Sequence, residues 1–172
     1  MPHNACVHVI KNGTGTVTLN GNNNYTGTTF VNNGTLSVST QAGLGAASGA
    51  TTVASGATLQ LSNNVSLSEA VSLAGTGYGA YGSLRNLSGS NVLTGLVTLT
   101  ADAKIQSDAG TLTLFPSAGN AVTGNYNVTF DGAGTAMVGA VASSSLTKQG
   151  SGTLNLLSAS SYSGGTTLSA GT

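Results

Sequence analysis

Lys11 to Thr35 reads KNGTGTVTLNGNNNYTGTTFVNNGT, and Lys148 to Thr172 reads KQGSGTLNLLSASSYSGGTTLSAGT. The two align without a gap at an offset of 137 and share Lys11/Lys148, Gly13/Gly150, Gly15/Gly152, Thr16/Thr153, Leu19/Leu156, Tyr25/Tyr162, Gly27/Gly164, Thr29/Thr166, Gly34/Gly171 and Thr35/Thr172. Long-period self-similarity of this kind marks stacked, quasi-one-dimensional architectures, in which each unit buries its apolar face only against its neighbours.

A smaller unit recurs outward from these copies: a Gly, a small residue, then alternating apolar positions. It starts at Gly15, Gly34, Gly56, Gly82, Gly110, Gly134 and Gly152, and Gly171-Thr172 opens another. The intervals run from 18 to 28 residues and average about 22. This spacing fits one coil of a solenoid. Period-2 alternation points Leu36 and Val38, Leu59 and Leu61, Leu112 and Leu114, and Leu154 and Leu156 inward, and places Ser37, Gln60, Thr113 and Asn155 outside. Further strands are predicted over residues 28–32, 51–55, 65–74, 96–100 and 126–130. Two or three strands per coil, separated by Gly/Asn/Ser turns, predict an all-β, right-handed parallel β-helix of about seven coils, a rod roughly 34 Å long at about 4.8 Å per rung. An antiparallel sandwich also accommodates strands every 8–12 residues, but does not account for the long-period repetition.

Composition agrees with this architecture and removes several functions. Only 5% of the chain is charged and the formal net charge is zero, yet 39% is hydrophobic. Gly, Thr, Ser and Asn make up about half of the residues, a mixture of strand formers and turn formers. The basic residues are Lys11, Arg85, Lys104 and Lys148, too few and too scattered to neutralise a phosphate backbone, so nucleic acid is excluded as a partner. Cys6 is the lone cysteine, which rules out an internal disulfide or a cysteine-based zinc site. No apolar run reaches the length of a membrane helix, and MPHNACVHVIK lacks the basic and apolar regions of a signal peptide. Residues 1–9 stand outside the pattern as a leader. Residues 10–172 are expected to be the β-helical repeat region, cut short at its C-terminal end as an internal piece of a longer solenoid.

The pattern Leu-Thr-Lys-x-Gly-x-Gly-Thr-Leu-x-Leu, a spacer, then Tyr-[Ser/Thr]-Gly-x-Thr and a closing Gly-Thr, resembles the autotransporter-associated β-strand repeat of bacterial type V secretion passengers. Leu146 to Thr172 carries it closely and Ile10 to Thr35 almost as well, while residues 77–89 and 105–115 resemble the connecting coils between such repeats. The resemblance implies a β-helical passenger segment, a stiff stalk or adhesin-like scaffold exported across the outer membrane to the cell surface. It implies as partners the rest of a longer chain, including a downstream membrane β-barrel, and a host surface or glycan.

Candidate chemistry is sparse. The acids are Glu69, Asp102, Asp108 and Asp131; Asp108 and Asp131, 23 residues apart, fall on neighbouring rungs. Both precede a Gly-x strand start, as turn-forming Asp does, against the alternative of a catalytic or calcium pair. His3, Cys6 and His8 form the one soft-ligand cluster. With both His in the leader, no nucleophile triad assembles, and the Gly-rich runs lack the P-loop Lys-[Ser/Thr]. Tyr25 and Tyr162 occupy one repeat position, either packing over a turn or offering an aromatic platform for sugars. Thr16-Val-Thr18, Thr98-Leu-Thr100 and Thr111-Leu-Thr113 have the form of an ice-binding ladder, which requires the same place on successive rungs. Sequons such as Asn24-Tyr-Thr26 and Asn127-Val-Thr129 are expected by chance in so Asn/Thr-rich a chain. No catalytic residue, metal or cofactor is assigned, and the reading is a non-enzymatic passenger segment. The alternative is a non-catalytic part of a carbohydrate-acting β-helix enzyme.

Overall fold

In a computed structural model, residues 6–172 are described. They wind into a right-handed parallel β-solenoid of about eight turns, and every strand pairing is parallel. Three ladders run along it. The first climbs through Val9–Lys11, Thr29–Val31, Thr51–Val53, Val71–Gly75, the first part of Val97–Ser107, Asn120–Thr123, Ala140–Ser143 and Ser161–Tyr162. The second climbs through Thr16–Leu19, Gly34–Val38, Ala57–Leu61, Leu84–Asn86, the second part of Val97–Ser107, Asn127–Asp131, Ser145–Lys148 and Thr166–Leu168. The third is shorter, from Ser66–Leu67 through Ser90–Leu93, Thr111–Leu114 and Thr135–Val138 to Thr153–Leu156. The sandwich is thereby excluded.

In-register stacking makes the core a set of single-file columns. On the second ladder Val17, Leu36, Leu59, Leu84, Ile105, Phe130, Lys148 and Leu168 lie one above another. Val17 is 44% exposed at one end and Leu168 62% at the other, whereas Leu36, Leu59, Leu84, Ile105 and Phe130 are at most 1% exposed. Leu154 and Leu156 stack on the buried Ala136 and Val138, the inward positions of their ladder; on this last described rung Leu154 is half-buried and Leu156 exposed. Ser37, expected outside, is buried as the Gln60 amide donates to its hydroxyl at 3.3 Å. The strand expected over 65–74 is two strands on different ladders, with a corner at Glu69 between them.

The Gly-led units do not all mark the same face. Those opening at Gly15, Gly34, Gly56 and Gly82 lead into the second ladder, and those at Gly110, Gly134 and Gly152 into the third. The longest interval, Gly82 to Gly110, is where the pattern slips by one face. The two long repeats slip with it. Lys11 ends a first-ladder strand and Lys148 a second-ladder strand.

Both copies nevertheless build the same corner. Lys11 Nζ donates to Gly13 O and, at 2.9 Å, to Asn33 O; Lys148 Nζ donates to Gly150 O at 2.8 Å and Ala170 O at 3.4 Å, and also to Gln149 O. Each stem fills an inward position, and Lys11 and Lys148 are 6% and 4% exposed. The ammonium thus satisfies turn carbonyls from two successive coils that bend away from their ladders and would otherwise lie unpaired. Gly34 and Gly171 close these cages at φ +69° and +75°; a Cβ on either would press on two carbonyl oxygens and reach within 2.7 Å of the ammonium. Lys, Gly-x-Gly and the closing Gly therefore recur together because they form one caged corner, placed at different vertices of the coil.

Replacing Lys11 by Met retains the buried stem and removes the donor. It is expected to cost about 1–3 kcal/mol, measured as faster amide hydrogen exchange at Asn32 and Asn33, whose N–H groups bond Lys11 O at 2.8 and 3.2 Å.

Candidate functional site

The outer face of the second ladder gathers four of the chain's eight charged residues. Ser37, Gln60, Arg85, Gln106 and Asp131 occupy one register position on five consecutive rungs. Arg85 Nε donates to Asp108 Oδ2 at 2.7 Å, its second terminal nitrogen pairs with the same oxygen, and its first reaches Gln60 Oε1 at 3.2 Å. Gln106 Nε2 donates to Asp108 Oδ1 at 2.6 Å. One rung on, Lys104 Nζ bonds Asp131 Oδ2 at 2.9 Å. Burial pushes the Asp131 carboxyl up, but hydrogen bonds from Lys104 and the Gly132 N–H, with the charges of Lys104 and Lys148, outweigh it and hold the group below its usual range. Burial also lowers Lys148, against the opposing pull of Asp131.

A tight loop walls this face. Between Val71–Gly75 and Leu84–Asn86 the chain makes a 3₁₀ turn at Tyr78–Ala80. Thr58, outward by alternation, is covered by this loop: its hydroxyl accepts from Tyr78 N at 2.9 Å and donates to Gly82 O at 2.8 Å. The loop carries two exposed rings, Tyr78 and Tyr81, and the Arg85 guanidinium lies 4.5 Å from the Tyr81 ring centroid. Sequence reasoning passed over this element because residues 77–89 read as a connecting coil; the signal was two Tyr in a Gly-punctuated hexapeptide, GYGAYG.

The residues singled out from the sequence fall elsewhere or part company. Asp108 and Asp131 lie on adjacent coils, but each is held in its own ion pair. Asp102 accepts from the Asn127 N–H and side-chain amide at 2.8 and 2.9 Å, bracing the corner between two ladders. His3 lies outside the described residues. Cys6 is an exposed free thiol, and His8 Nδ1 accepts from Thr28 N at 2.9 Å while its ring packs on Phe30. Among the described residues no cluster of His, Cys, Asp and Glu converges as a metal site. The Thr-x-Thr segments sit on three different ladders, so they form no continuous Thr face.

Tyr25 and Tyr162 repeat each other's geometry. Tyr25 Oη lies 3.1 Å from Thr29 Oγ1, and Thr166 Oγ1 donates to Tyr162 Oη at 2.7 Å. Both rings are half-buried, Tyr25 against the backbone of Gly45 and Tyr162 against the core. They pack over turns rather than stand out as a platform. Below Tyr25 runs a buried polar column: Thr29 and Thr51 are in register, and Thr51 Oγ1 donates to Glu69 Oε2 at 2.9 Å. Glu69 is 3% exposed and its Oε1 has no partner. Burial raises its carboxyl to about 7, with the Thr51 hydrogen bond opposing. Burial raises Tyr25 as well, partly offset by the Thr29 hydrogen bond and reinforced by the nearby Glu69 charge.

A parallel β-solenoid closed by caged-lysine corners defines the class, and comparison finds a known repeat at its two ends. Residues 9–38 and 146–172, about a third of the chain, match the family model of the passenger-associated-transport-repeat. No curated protein and no solved structure matches the chain.

Because the folded state holds Glu69 neutral until about pH 7 while the unfolded chain ionises near 4.5, its contribution is complete below about pH 4.5 and lost as pH rises through 7. The loss is about 3 kcal/mol at most. Urea titrations at pH 4 and 8 are expected to show this fall, and Glu69→Gln to abolish most of it.

Proposed function

We propose that this chain is a non-catalytic structural segment of an autotransporter passenger, a stiff stalk that holds other parts of a longer protein away from the outer membrane. The carrying observation is the unbroken inner column from Leu36 to Phe130, buried at every rung. A single-file column resists bending, since tilting one coil opens close-packed contacts with both neighbours. Uncharged hydroxyl and amide groups keep the outside wetted, and with 5% charged residues the chain has few ions to desolvate during transit through a narrow pore. Export to the surface and a downstream membrane β-barrel rest on the family match and the resemblance. A carbohydrate-acting enzyme draws no support from the acids: Asp102, Asp108 and Asp131 are each engaged in a local bracing contact, and Glu69 is buried.

The test is display. With an export signal and an N-terminal epitope ahead of the chain and a membrane β-barrel behind it, the epitope is expected to be accessible to antibody on intact cells. Leu59→Asp with Leu84→Asp, which breaks the column, is expected to lower that accessibility severalfold at equal expression, because buried unpaired charges prevent stacking. Equal display of the broken and intact stacks would overturn the stalk reading.

A further inference from the structure

We propose that the outer face of the second ladder beside the 77–82 loop is a binding site for an uncharged carbohydrate chain, with Tyr81 as the stacking surface and Gln60, Arg85, Gln106 and Asp108 as the hydroxyl-reading groups. Four of the eight charged residues in the chain, Arg85, Lys104, Asp108 and Asp131, meet on this one face across three coils. They meet as pairs, Arg85 with Asp108 and Lys104 with Asp131, so the face has local polarity without net charge. An anion or a cation gains little there. A polyol gains fixed donors from guanidinium, ammonium and carboxamide groups, together with fixed carboxylate and carboxamide acceptors.

Those groups are already held. The Arg85 fork is locked by Asp108, Gln60 and the Tyr81 ring, and Gln106 by Asp108, so little side-chain freedom remains to be lost on binding. Tyr81 is half exposed, and the loop that carries it is pinned to Thr58 at both Tyr78 N and Gly82 O. An anchored, exposed ring next to planar polar side chains matches the two surfaces of a pyranose, its C–H face and its hydroxyl edge. The face is open along the ladder, with equivalent positions repeating about every 4.8 Å. It therefore suits a chain laid across several rungs rather than an enclosed single sugar.

The experiment titrates the isotope-labelled 172-residue chain with maltohexaose, cellohexaose and chitohexaose, and with polygalacturonate as an acidic comparison. Amide shifts at Gln60, Tyr81, Arg85 and Gln106 are expected with at least one neutral hexasaccharide. Tyr81→Ala is expected to weaken its affinity about tenfold with an unchanged unfolding midpoint, while Tyr81→Phe retains it. Arg85→Met is expected to weaken it by a comparable factor. The proposal is overturned if none of the neutral chains shifts these amides at concentrations up to about 10 mM. It is also overturned if polygalacturonate binds this face more tightly than they do, or if Tyr81→Ala binds as well as the parent chain.

Discussion

Parallel, in-register backbone pairing between successive coils is the constraint from which the other features follow. When each rung's N–H groups bond the carbonyls of the next, equivalent positions must face the same way along the whole stack. An inward column then has to be filled at every level, and an outward column becomes a continuous stripe. The inner column from Leu36 to Phe130 satisfies the first demand with large aliphatic or aromatic side chains throughout. The outward stripe from Ser37 to Asp131 is the second consequence, and it brings residues far apart in sequence to within one rung of each other.

Corners are where this pairing fails, since a chain that turns carries its carbonyls out of the ladder. The protein meets the problem with side chains that bond backbone from inside. Lys11 and Lys148 do so at the repeat corners. In the middle of the stack the fully buried Asn86 and Asn91 take the part: Asn86 Nδ2 donates to Ala109 O at 2.9 Å, and Asn91 donates to Ser88 O at 2.8 Å while its Oδ1 accepts from Val65 N at 2.8 Å. An ammonium has three donors and an amide has both donors and acceptors, which suits the lysine to a cage made wholly of carbonyls. Glu69 is the exception among these corner groups, buried with one oxygen unmatched, and burial raises its carboxyl to about 7.

The parallel solenoid, its inward Leu pairs and the approximate coil length were legible because β alternation and long-period repetition are properties of the linear chain. The slip of the pattern from the second ladder to the third was not, since Gly-Thr-Leu reads identically on any face. Nor was the burial of Ser37, which depends on an amide from the next coil. The Tyr pair at one repeat position drew attention as a sugar platform, yet both hydroxyls are tied to a Thr four residues on. The ring proposed for recognition is Tyr81, half exposed beside the Arg85 guanidinium in a loop that carries no repeat signature.

The sequence alone determined that coils stack and which residues repeat, because both are written in spacing and alternation. It marked the lysine, the paired glycines and the closing glycine of the repeat as a set without saying why they travel together. Tertiary structure decided that the set is a carbonyl cage spanning two coils, and that Arg85, Asp108, Gln60 and Tyr81 share one surface. Contacts between coils join residues some twenty positions apart, and which of them meet depends on the exact length of every turn between. That quantity accumulates along the chain and cannot be read from any one segment.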